Sequence, residues 1–156
     1  MTRHLMSAAV VGVLVLGATA ARADLSNNVI GSFRGQVVVS KDELPEGKND
    51  ADTIKKIKAA ALTELVGEPA GDVTAWHFHY TAFLSRTGAT SLKMEFVIDG
   101  RLAADKQLEG VDPKSSVLSG DITIDEDEGL AKGKKYSVEL VAGGNNVVAK
   151  QTVLFK

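Results

Sequence analysis

The residues best placed to do chemistry are His77 and His79, in the stretch AWHFHYTAFL at residues 75–84. In an extended strand, side chains two apart point to the same side, roughly 7 Å from one another. Two imidazoles so placed can share one Zn²⁺ or Cu²⁺, so His77 and His79 are the metal candidates. A working site needs a third or fourth ligand, which Asp, Glu or Met94 on a neighbouring strand would have to supply. The same spacing has a plainer reading. Trp76, Phe78 and Tyr80 alternate with the histidines as a core face, which puts His77 and His79 on a wet outer face.

A second candidate is the acidic run Asp125-Glu126-Asp127-Glu128 followed by Gly129. Calcium takes six to eight oxygens, and this run is rich in them. It does not follow the helix–loop–helix calcium pattern, because its glycine comes early and no glutamate closes the loop. A solvated connection between strands accounts for it equally well. Catalytic signatures are missing: there is no G-x-S-x-G, no glycine-rich phosphate loop and no H-E-x-x-H. The chain has no cysteine, which removes thiol nucleophiles, thiolate zinc sites and iron–sulfur clusters. We therefore assign no catalytic residue and expect no cofactor.

The N-terminus says where the chain goes. MTRHLMSAAVVGVLVLGATAARAD has a basic residue, Arg3, then an apolar run, then Ala21-Arg22-Ala23, the layout of a secretory signal peptide. Residues 1–23 are thus expected to be removed near Ala23, leaving a domain over 24–156 in the periplasm or outside the cell. The apolar run is shorter than the roughly 20 residues that span a bilayer, and the mature chain has no transmembrane segment. Removal takes away Arg3 and Arg22 and no acid, so the net charge moves from −2 to −4. An acidic domain is a poor ligand for nucleic acid or anionic lipid.

The elements that must position these residues are mostly strands. FRGQVVVS reads as a first strand, with Phe33, Gly35, Val37 and Val39 on one face, and DLSNN before it as a mobile start. Over residues 51–66, Ile54, Ile57, Ala61 and Leu65 recur at helical spacing; Asp50 or Asp52 can cap the start and Gly67 the end. From Val73 onward the period is two. Leu92, Met94, Phe96 and Ile98 form one inward row, and Asp99-Gly100 is a two-residue hairpin signal. RLAADKQL returns as an edge strand blunted by Arg101, Asp105 and Lys106. VLSGDITID, KYSVELVA and VVAKQTVLF complete the set. Gln151 falls on the apolar side of the last, which suggests a bulge or edge there.

GLAKGKKYSVEL resembles the turn and strand of immunoglobulin-like and fibronectin type III-like sandwiches, through Leu130, Gly133, Tyr136, Val138 and Leu140. The resemblance implies a tyrosine corner, with the Tyr136 hydroxyl bonded to upstream backbone. The expected fold is then mostly β: a single antiparallel β-sandwich of about seven strands with one amphipathic helix after the first. Structural weight should fall on Trp76, Gly100 and Tyr136. The fold carries no function by itself. The leading expectation is an exported, non-enzymatic interaction or structural module that binds a protein or a glycan. The alternatives are a small metal-binding protein using His77 and His79, and a small hydrolase.

Overall fold

The computed structural model describes Thr19–Ala20, residues 25–85 and residues 90–156. The expected leader lies outside the described residues except for Thr19–Ala20, and so does the middle of the turn at 85–91. The protein is mostly β. Its strands are β1 (Thr19–Ala20), β2 (Gln36–Ser40), β3 (Glu64–Leu65), β4 (Glu68–Ala70), β5 (Val73–Phe83), β6 (Leu92–Ile98), β7 (Arg101–Leu108), β8 (Val117–Asp125), β9 (Lys134–Ala142) and β10 (Asn146–Phe155). Seven have five residues or more, and they match the seven expected from the alternation.

These strands form one curled, mixed sheet in the order β1-β8-β5-β2-β10-β9-β6-β7, a half-barrel rather than two separate layers. The antiparallel limb β8-β5-β2 meets the antiparallel limb β10-β9-β6-β7 through one parallel pair, Gln36 with Lys150. Between the limbs lies the main core. Phe155 sits in its middle, with ring centroids 5.5 Å from Trp76, 6.4 Å from Phe78, 5.9 Å from Phe96 and 5.5 Å from Tyr136. All four contacts are edge-on, the arrangement that ring quadrupoles favour.

Two helices, not one, accompany the sheet. α1 (Asn27–Phe33) begins where a mobile start was expected; the Ser26 side chain caps it by accepting from Val29 N–H. α2 (Asp50–Ala60) is capped by Asn49, whose side chain accepts from Asp52 N–H, and not by Asp50 or Asp52. Both helices lie on the outer face of the first limb. Val29, Phe33 and Ile57 pack there on Val38, Phe83 and Val117, and the Phe33 and Phe83 rings are 5.1 Å apart.

The expected helix over 51–66 stops six residues early. Beyond Ala60 the chain turns extended and runs parallel to the end of β10, pairing Glu64 with Leu154 and Leu65 with Phe155. Leu65 leaves the helical stripe and enters the main core. The free edge of β10 offers backbone partners that a further helical turn could not use, and buried backbone groups must be paired.

The same requirement explains Gln151. β2 and β10 diverge after their single pair, which would strand backbone groups in the gap. Gln151 fills it: its Oε1 accepts from Val39 N–H at 2.9 Å and its Nε2 donates to Leu62 C=O at 2.8 Å. Leu62 N–H completes the loop on Val39 C=O. A polar residue on the apolar side is thus a clasp between limbs, and the bulge lies slightly upstream, between Val147 and Ala149. At the β6–β7 turn, Asp99 (φ 50°) and Gly100 (φ 72°) both occupy the left-handed region that the expected tight hairpin requires.

Candidate functional site

β5 and β8 pair over nine positions, and this register decides what the histidines do. His77 stands opposite Thr123 and His79 opposite Asp121. His77 Nδ1 is 2.7 Å from Thr123 Oγ1, and His79 Nδ1 is 2.9 Å from Asp121 Oδ1. Each imidazole is tied to its cross-strand neighbour. Their face is not uniformly wet, as expected from the alternation. His77 is exposed, but His79 is 6% exposed, and Thr81, Ser119 and Ser40 on the same side are buried. Phe83, at the end of this face, packs under the helical layer, while His79 stands between Ser40 of β2 and Asp121 of β8, surroundings that no local period encodes. Among the described residues, no group of three or more His, Asp or Glu side chains is arranged to hold a metal ion.

The acidic run is likewise committed to structure. Glu126–Glu128 forms a 3-10 turn in which Asp125 accepts from Glu128 N–H, and Glu128 accepts from Asp125 N–H. Glu126 accepts from Thr74 N–H at 2.7 Å, and Glu128 also pairs with Lys106 of β7. Gly129 follows at φ 115°, where an added Cβ would meet Ala103 C=O.

Of the residues given structural weight, Trp76 and Tyr136 are buried, whereas Gly100 lies exposed at the β6–β7 turn. Trp76 is fully enclosed and its Nε1 donates to Lys156 C=O at 3.1 Å. Tyr136 is 2% exposed, and its hydroxyl accepts from Ala131 N–H at 2.9 Å, five residues upstream.

Tyr80 is buried, as its place in the core row required, but its close approach to Gly120 escaped the sequence reading. Tyr80 stands opposite Gly120, and its ring lies so close that a Cβ on Gly120 would come within 3.1 Å. The buried Tyr80 hydroxyl has no hydrogen-bond partner among the described residues. Burial, with the Asp121 charge as a lesser cause, pushes its pKa up to about 12. Tyr80 keeps its proton in the fold when the unfolded chain has begun to lose it. This contribution to stability is present in full below pH about 10 and is lost as pH rises to about 12. Between those limits the loss is about 2–3 kcal/mol. Denaturation at stepped pH should therefore show a steeper alkaline decline for the wild type than for Tyr80→Phe. Parallel curves would refute the assignment.

The two margins of the sheet differ in kind. β7 is defended: Arg101, Asp105 and Lys106 line it, Asp105 pairs with Lys93 and Lys106 with Glu128, and a register shift bends it beside Phe96. Such features discourage another strand. β8 has nine residues, and among the described residues only Leu118 and Ser119 meet a strand beyond β5, the two-residue β1. Its sequence VLSGDITID carries no Lys, Arg or Pro. β1 shows the geometry this margin accepts, antiparallel with Thr19 on Ser119 and Ala20 on Leu118. Comparison with protein-family models, with curated proteins and with solved structures finds no match for this chain.

Proposed function

We propose that the protein is an exported, non-enzymatic interaction module, acting in the periplasm or outside the cell after cleavage near Ala23. It binds a partner protein by adding an extended segment of that partner to β8. The carrying observation is the contrast between a charged, bulged β7 margin and an undefended β8 margin on which Thr19–Ala20 already pairs. Removal of the leader takes that pair away and opens the margin along its length. Strand addition supplies main-chain hydrogen bonds for affinity, with side-chain fit providing selectivity.

A protein partner is favoured over a glycan because sugars are commonly gripped by open aromatic faces. Every Phe, Tyr and Trp of this chain is buried. The likeness to immunoglobulin-like sandwiches is kept for the Tyr136 corner alone.

Photo-crosslinking in the cells that make the protein tests this reading. A crosslinker at Thr123, on β8, is expected to give a defined protein adduct that the same group at Leu102, on β7, does not. Amide exchange along β8 should slow in the isolated complex. Equal adducts from both positions, or unchanged β8 exchange, would overturn it.

A further inference from the structure

A cleft of about 490 Å³ opens where β2 and β10 part, beneath the ends of α1 and α2. Its volume lies in the range of small-molecule sites, roughly 300–1,000 Å³. Phe33, Val38 and Ala61 give it apolar walls, while the Val37 side chain turns to the main core. Lys58, in the last turn of α2, and Lys150, at the β2–β10 junction, also line it. Both lysines are exposed, and neither has a side-chain hydrogen bond or ion pair among the described residues. No Asp or Glu lines the cleft. The Gln151 amide at its base is engaged at both ends by Val39 and Leu62 and so does not compete for a ligand.

The mature domain is acidic overall, yet this opening presents two cations and no anion. We infer that the cleft binds a small amphipathic carboxylate, its headgroup between Lys58 and Lys150 and its apolar body along Phe33, Val38 and Ala61. Neither half of that chemistry suffices alone. Exposed lysines hold a free carboxylate only weakly, and apolar walls favour any hydrocarbon without selecting a charge. Together they select an anion that carries hydrocarbon. The site is separate from the β8 margin, and either can fail without the other.

Octanoate is the probe, added to the isotope-labelled full chain and followed by amide NMR, with octanol and acetate in parallel. Saturable octanoate shifts are expected at Val37, Val38 and Ala61, with octanol and acetate both weaker. The double variant K58Q/K150Q should keep its thermal midpoint, since both side chains are exposed and unpaired, and weaken octanoate by about fivefold or more. Absence of saturable shifts at those amides, octanol binding as tightly as octanoate, or a smaller loss in the double variant overturns the inference.

Discussion

Phe155→Ala is expected to destabilise the protein by about 3–5 kcal/mol, at the upper end for a core truncation. The side chain is fully buried and touches four other aromatic rings, drawn from β5, β6 and β9. Removing it loses the transfer energy of the ring and leaves a cavity between rigid neighbours that cannot collapse into it. It also ends two contacts between the limbs of the sheet, with Trp76 and Phe78, that backbone pairing does not replace, since those limbs share one parallel residue pair. Denaturant unfolding provides the measurement, with Leu102→Ala as control. Leu102 is 55% exposed, and its loss should stay within about 0.5 kcal/mol. A Phe155→Ala midpoint close to that of the control would mean the limbs are held by something other than this cluster.

Such a small domain would lose much of its margin. Folded proteins keep roughly 5–15 kcal/mol in hand, so this one substitution consumes a large part of it. The β8 margin then becomes a liability as well as a candidate binding edge, because a strand margin without lysine, proline or a bulge is a template for other chains once the fold loosens. Phe155→Ala should aggregate sooner than the wild type on heating, and an added charge at Thr123 should delay it.

What could be read from the sequence was whatever is local. The expected alternation survives in β6, whereas β2 and most of β5 are buried on both faces and Phe33, expected on the first strand, ends α1; the Asp99-Gly100 hairpin follows from the φ values its two residues tolerate. The anomaly at Gln151 was also visible, but not its cause, because Val39 and Leu62 are 112 and 89 residues away in the chain. α1 was missed: seven residues are too few to display a clear period, and the cap at Ser26 was the available sign. The stripe through Leu65 was true to its spacing and still misleading, since pairing with β10 outweighed another helical turn. The histidines illustrate the same limit. That His77 and His79 share a side could be read directly, whereas the burial of His79 depends on surroundings brought from elsewhere in the chain, among them its cross-strand neighbours Ser40 and Asp121. At the candidate site, the composition of β8 was plain, but that it lies at a margin is a matter of sheet order.

Gln151→Leu is expected to cost about 2–5 kcal/mol although leucine is more hydrophobic and nearly the same size. The substitution leaves Val39 N–H and Leu62 C=O without their partner in a partly enclosed gap, and each such group costs about 1–3 kcal/mol. Gln151→Glu separates the two bonds. Its carboxylate still accepts from Val39 N–H but cannot donate to Leu62 C=O, and it turns negative charge toward that carbonyl. The glutamate variant should therefore be destabilised at neutral pH and recover part of the loss in mild acid, where the protonated carboxyl can donate again. Amide exchange locates the effect: Val39 should exchange faster in Gln151→Leu but remain protected in Gln151→Glu. If Gln151→Leu unfolds at the wild-type midpoint with Val39 still protected, the limbs are not clasped at this point, and the seam must be closed by the Gln36–Lys150 pair and the Thr63–Leu65 segment alone.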